Sequence, residues 1–224
     1  DLGLTNTHFE TPHGLDSDEH YTTAYELALL SNYALKNKTF AQIVGTKEYT
    51  ITINNSPKQL SNTNELLGNL NGVYGIKTGF TNGANRCLVT ACKRGNMDII
   101  CVVLGADTKK FRTQDSIKLI NYVFDNFKSI NVFNEINNNF DTWKKENLSK
   151  IKINKSIPNN INFQIKPSSN CPISEEIKSI PIRNDLINST NINIDCPMYF
   201  EAPISIGSKV GTIKITVSDY CSFE

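Results

Sequence analysis

Across its 224 residues the chain is 39% hydrophobic and 20% charged, with a formal net charge of +1, the range of a soluble globular protein. That length allows one large domain or two small ones, each able to bury a core, and so balanced a charge gives no field to draw in nucleic acid or an acidic membrane surface. No apolar run approaches the ~20 residues of a bilayer-crossing helix, and Asp1-Leu2-Gly3-Leu4 lacks the charged-then-apolar start of a signal peptide.

In chain order, Thr23-Ala24-Tyr25-Glu26 reads as a capping box opening a helix with Leu27, Leu30 and Ala34 on one face. A shorter helix from Thr39 to Val44 is expected to end at Gly45 as its C′ residue. Lys47 to Ile53 sets Tyr49, Ile51 and Ile53 against Thr50 and Thr52, the alternation of a half-buried strand, and Asn54-Asn55-Ser56-Pro57 is a turn. Val73 to Thr78 is a further strand. Arg86 to Lys93 and Met97 to Leu104 form a hairpin about Arg94-Gly95-Asn96. The second strand of that pair contains IICVVLG, nearly continuous in apolar residues, which predicts a central strand covered on both faces. Ile117, Ile120, Val123, Phe124 and Phe127 then recur at helical spacing, so Thr113 to Phe127 is a helix laid on the sheet. An antiparallel sheet with packed helices is an α+β pattern.

The texture changes near residue 129. Asn, Ile, Ser and Pro dominate, no helix is predicted, and strands are expected at Lys150–Lys155, Ile161–Ile165, Ile177–Ile182, Ile192–Ile194 and Lys209–Val217. Short strands between frequent turns suggest a small all-β sandwich or barrel. The expected organisation is two domains, 1–128 and 129–224.

Histidines occur only as His8, His13 and His20. Their spacing suits neither a helical nor a strand metal pair, and Thr11-Pro12-His13-Gly14 reads instead as a turn with local hydrogen bonds to His13. No metal or cofactor is expected. The six cysteines form no CxxC pair; they read as buried small apolar residues, with a disulfide among Cys171, Cys196 and Cys221 left open. Gly75-Ile76-Lys77-Thr78-Gly79 lacks the upstream glycine of a phosphate loop and lies in a strand, which excludes nucleotide binding.

Lys77-Thr78-Gly79 is by itself compatible with a turn carrying a solvated lysine. It is also compatible with a cleft edge: exposed backbone groups pair an extended peptide, the ammonium supplies positive potential, the hydroxyl bonds a carboxylate, and glycine lets a ligand approach the backbone. Its surroundings favour the second reading. Asn6-Thr7-His8-Phe9, Pro12-His13-Gly14-Leu15, His20 through Ala28, Ile43 through Thr50, Asn62-Thr63-Asn64, GIKTGFT, Cys87 through Ala91 and Val102 through Gly105 together resemble the serine-type D-alanyl-D-alanine carboxypeptidases of the DacA/DacF type, the low-molecular-weight penicillin-binding proteins. Ala202-Pro203-Ile204, Gly207, Val210-Gly211 and Ile213 are similar to that family's C-terminal β-domain.

The resemblance implies the C-terminal part of a β-lactamase/transpeptidase-like catalytic domain followed by a small all-β domain. It implies peptidoglycan stem peptides ending in D-Ala-D-Ala as substrate, and β-lactam antibiotics as ligands. Such enzymes act outside the cytoplasmic membrane, with a membrane anchor in the full-length protein. The family's chemistry uses Ser-x-x-Lys, Ser-x-Asn and Lys-Thr-Gly: serine attacks the D-Ala-D-Ala carbonyl and water releases the acyl-enzyme. By that likeness Lys77, Thr78 and Gly79 are the catalytic wall. Thr78 also binds substrate with Phe80 (through its backbone N–H in the oxyanion hole), Thr81 and Arg112, whose fork suits a terminal carboxylate; a surface arginine near a helix start remains the plain alternative for Arg112. Asn85 stands where the family has Gly, and Asn tolerates the left-handed backbone required there.

Ser149-Lys150-Ile151-Lys152 and Ser129-Ile130-Asn131 imitate the missing motifs in the wrong order. The nucleophile is therefore expected upstream, in an N-terminal part of the same protein, and these residues alone are expected to be inactive. A non-catalytic cell-wall-binding or interaction module with the same fold is the competing reading. A class A β-lactamase fits less well, because Glu65 of Asn64-Glu65-Leu66-Leu67 lies too close before Lys77 to be a deacylating glutamate and lactamases lack a second domain.

Overall fold

The computed structural model describes residues 2–155, 162–166, 179–217 and 221–223. Two compact units divide after Asp125, and each is described by itself.

The first unit opens with a loop closed by paired backbone hydrogen bonds between His8 and Tyr21. Helix α1 (Ala24–Leu35) follows, capped by the Thr23 side chain, which accepts from the Glu26 N–H at 3.2 Å. Only this half of the expected capping box forms. The Glu26 carboxylate, 5% exposed, instead accepts from the Asn6 N–H (2.9 and 3.1 Å) and the Thr7 hydroxyl, tying the N-terminal loop to the helix. Those hydrogen bonds, Thr7 first, hold its carboxyl below the usual range against the opposing effect of burial.

Helix α2 (Lys38–Gly45) ends differently from expectation. Gly45 is its last helical residue, and Thr46 beyond it is extended at φ −79°. Glycine is needed here for close approach: a Cβ at Gly45 would stand 2.9 Å from the Tyr74 carbonyl oxygen.

Strand β1 (Glu48–Ile53) pairs with β2 (Ser56–Ser61), which begins within the expected turn, through a tight bend with Asn54 and Asn55 at φ 48° and 61°. Two left-handed residues make the tight hairpin turn that matches strand twist. The hairpin is exposed along nearly its whole length, not half-buried.

Strands β3 (Val73–Thr81), β4 (Asn85–Arg94) and β5 (Met97–Ala106) form one antiparallel sheet with β4 in the middle. The expectation that IICVVLG is central is thus corrected: β5 has one paired edge among the described strands. Its apolar run reflects helices near both faces, and side-chain periodicity carries no information about backbone pairing. Successive residues of β4 point to opposite faces. Leu88 and Cys92 pack with Cys101, Ile120 and Leu66, beneath helix α3 (Lys109–Asn126). Ala91 and Val89 meet Val44, Leu35 and Phe40 of the first two helices.

The second unit begins with β6 (Phe127–Ile130), paired antiparallel with β8 (Ile180–Arg183). Between them lies helix α4 (Val132–Asn147), where no helix was expected, so this unit is not all-β. The helix is capped by Asn131, whose side chain accepts from the Asn134 N–H at 3.0 Å. Its asparagines, poor helix formers that hid it, donate side-chain amides to carbonyls one turn back: Asn137 to Phe133, Asn139 to Glu135, Asn147 to Trp143. Val132 and Ile136 are buried against Ile215, with Ile192 and Ile213 alongside.

Strand β7 (Lys152–Asn154) pairs in parallel with β10 (Tyr199–Glu201). Strand β11 (Thr212–Val217) lies between β9 (Thr190–Asp195) and β12 (Cys221–Phe223). Among the described residues these are three separate sheets and not one barrel. Residues 162–166 are irregular where a strand was expected; Ile161 and residues 177–178 of two expected strands lie outside the described residues.

Candidate active site

Strand β3 runs from a buried beginning to an open end. Ile76 packs on Val44 and Ala91, Thr78 is half-buried, and Lys77, Gly79 and Phe80 are exposed. Among the described residues no strand covers its outer edge, so its backbone is open to an extended ligand. The Lys77 ammonium donates to the Thr78 carbonyl at 2.7 Å. A Cβ on Gly79 would meet only the Cys87 Cβ, at an ordinary 3.6 Å. The fold therefore does not demand glycine there; what glycine leaves is open approach from solvent. The Arg86 guanidinium lies 3.5 Å over the exposed Phe80 ring, a cation–π contact. Asn85 has φ 55°, the left-handed backbone expected of it.

The hairpin tip is tied down by a residue the sequence did not single out. The Asp16 carboxylate accepts from Thr81 and from the Gly83 N–H at 3.0 Å, and those bonds, Thr81 first, hold its carboxyl below the usual value. Thr81 also accepts from the Ala84 N–H.

A strap at residues 62–67 joins this strand to α3. The Asn62 amide donates to the Val44 and Thr46 carbonyls at 3.3 and 3.0 Å. Asn64, 2% exposed, donates to the Gly75 carbonyl and accepts from the Leu66 N–H. Between them the Thr63 hydroxyl lies 2.5 Å from that of Thr78. One residue further, Glu65 pairs with Lys109 at 2.6 Å, accepts from the Thr113 hydroxyl at 3.1 Å, and stands 3.9 Å from Arg112 Nη2.

Arg112 is not a surface residue before the helix. It lies within the first turn of α3 and is 4% exposed, which overturns the plain alternative for it. Burial pushes its guanidinium pKa down, with the Glu65 charge opposing. Its Nε and Nη2 are buried without a hydrogen-bond partner. Such donors are costly to leave unmade, and here they form an anion-seeking fork.

The structure thus links Thr78 and Arg112 through Thr63 and Glu65 of one strap, and places Lys77, Gly79, Phe80 and Thr81 along the same open strand. Thr63, Glu65 and Asp16 were missed as site residues. The Asn62-Thr63-Asn64 spacing held a signal: each Asn accepts from the backbone N–H two residues on (2.9 and 3.1 Å), a run of two Asx turns. His13 sits in the local turn expected, its Nδ1 bonded to Thr11 and accepting from the Leu15 N–H. Ser149 and Lys150 lie in a 3-10 turn and Lys152 in β7, so they share no helix face. Cys92 and Cys101 are buried free thiols; Cys87 and Cys196 are half-buried free thiols; Cys171 lies outside the described residues, as does the Cys221 side chain.

Residues 1–108 match the profile of the family described as D-alanyl-D-alanine carboxypeptidase, Peptidase_S11. The chain is 30% identical over 216 residues to D-alanyl-D-alanine carboxypeptidase DacF of Bacillus subtilis, covering 96% of this chain and 51% of the relative. It is 38% identical over 131 residues to DacA of Escherichia coli, covering 58% of this chain and 32% of that one. The chain therefore spans about half the length, or less, of these curated relatives. Among solved structures, the Streptomyces K15 DD-transpeptidase superposes with a TM-score of 0.53 at 37% identity, covering 55% of this chain and 50% of the other. Penicillin binding protein 5 from Haemophilus influenzae superposes over 100% of this chain and 59% of its own, with a TM-score of 0.65 at 24% identity, a likeness of fold alone.

Proposed function

We propose that the chain, whose residues 1–108 match the D-alanyl-D-alanine carboxypeptidase profile, belongs to that family and supplies the Lys-Thr-Gly wall of a penicillin-binding D,D-carboxypeptidase that trims peptidoglycan stem peptides. The observation that carries this reading is the buried Arg112 fork, tied by the 62–67 strap to the Thr78 hydroxyl on an open strand edge. A peptide ending in D-Ala-D-Ala lies antiparallel to β3, its terminal carboxylate taking the Thr78 hydroxyl and Arg112. The Phe80 N–H donates to the oxyanion, an interaction worth ~2.7–4 kcal/mol in comparable sites. Lys77 supplies positive potential that lowers the cost of both negative charges. The serine that attacks the carbonyl comes from a Ser-x-x-Lys segment outside these residues, and water releases the acyl-enzyme. The substrate places the protein outside the cytoplasmic membrane, with an anchor in the full-length protein; no helix among the described residues is long and apolar enough to cross one.

The test is release of D-alanine from a peptide ending in D-Ala-D-Ala by the full-length protein. Cleavage that is lost in the Lys77→Ala variant supports the reading. A full-length protein without cleavage or penicillin acylation supports the non-catalytic module instead.

A further inference from the structure

Glu65 bonds to Lys109 through Oε1 and to Thr113 through Oε2. Both anchors are on α3, flanking Arg112 three residues before and one after. Held on those two anchors, the carboxylate stands 3.9 Å from Arg112 Nη2, beyond hydrogen-bond range. The Arg112 Nε and Nη2 donors stay unpartnered in a side chain only 4% exposed.

We infer that Glu65 is a positioning residue that sets the affinity of the site for carboxylate-ended ligands. Its charge compensates the buried guanidinium, while Lys109 and Thr113 keep it from closing on the fork. The fork is left for an incoming carboxylate, and Glu65 repels that carboxylate. This inference rests on the proposed function and adds an opposing charge to it. The bonds to Lys109 and Thr113 also hold the Glu65 carboxyl below its usual value, so the charge is present at neutral pH.

Glu65→Gln keeps an oxygen acceptor and removes the charge. The experiment compares KM in the full-length protein for two peptides ending in D-Ala-D-Ala, one with a free C-terminal carboxylate and one with a carboxamide. Two unit charges a few ångströms apart near a protein surface interact strongly enough for E65Q to lower KM for the carboxylate peptide roughly three- to tenfold, with less than a twofold change for the carboxamide. Lys109→Gln has the opposite sign: freed of Lys109, Glu65 closes on Arg112 and KM rises for the carboxylate peptide alone. If E65Q does not fold, the K109Q result decides. Equal shifts for both peptides, or none, overturn the inference while the proposed function stands. Wild-type protein that cleaves neither peptide overturns both.

Discussion

Strands β3 and β4 are neighbours in one sheet, in continuous antiparallel register from Gly75–Ala91 to Thr81–Asn85, yet their surroundings are opposite. β4 places Leu88, Thr90, Ala91 and Cys92 at 0–1% exposure between layers of helix. β3 leaves Lys77, Gly79 and Phe80 in solvent. The difference teaches where this fold keeps its stability and where it keeps its chemistry: the middle strand is packed on both faces, and the edge strand spends its outer half on an open surface. Substitutions at the buried positions of β4 should destabilise the sheet, whereas substitutions on the exposed outer half of β3 should alter ligand binding and leave folding intact.

The largest expected effect is on β4. Leu88→Ala removes a fully buried side chain and is expected to cost ~2–5 kcal/mol of stability, read as a lowered midpoint in denaturant with an unchanged slope. On β3, Thr78→Val is expected to lower kcat/KM for a D-Ala-D-Ala peptide by ~10- to 100-fold, the worth of one hydrogen bond to a charged group. Its melting temperature should stay close to the parent's. A Thr78 variant that melts as badly as the Leu88 variant would break the comparison.

Gly79→Ala sharpens it. The new Cβ meets ordinary contact at Cys87, so stability should change by no more than ~0.5 kcal/mol, while acylation by penicillin slows because the added methyl stands on the open approach.

Cysteine reactivity reads the same contrast without mutation. Burial pushes the Cys101 thiol up to about 11 and raises that of Cys92, so both stay protonated and unreactive at pH 8. Cys87, half-buried opposite Gly79, should be alkylated before either, as peptide mass spectrometry after brief iodoacetamide treatment would reveal. The linkage has a definite sign. A thiol whose pKa is raised by folding gives stability that is whole below about pH 9 and lost as pH rises through about 11.

The smallest effect is at the hairpin tip. Asp16→Asn weakens the tie to Thr81 and Gly83, and faster amide exchange at Gly83 should follow with little change in global stability. Because the Asp16 carboxyl is lowered by these bonds, its hold is complete above the ordinary carboxylate range and fades as pH falls below it.

Much of this contrast was legible in the sequence. The hairpin about Gly95, the helix carrying Ile117, Ile120 and Phe124, and the strand holding Lys77 and Thr78 all follow from periodicity and turn chemistry. The order of strands was not, because the apolar run of β5 reports covered faces and is silent on paired edges. Helix α4 was hidden by asparagines whose cost is offset by bonds to carbonyls one turn back. At the site, the Lys-Thr-Gly strand could be read locally. The burial of Arg112 and its approach to Glu65, 47 positions earlier, arise from packing between distant segments, which no local pattern encodes.

The proposed function depends on a nucleophile outside these residues. The most direct measurement is peptide mapping of the full-length protein after reaction with a labelled penicillin. One labelled serine outside residues 1–224 is expected, with labelling slowed in Thr78→Val. A label on Ser149, or on any residue of the 224, would contradict it.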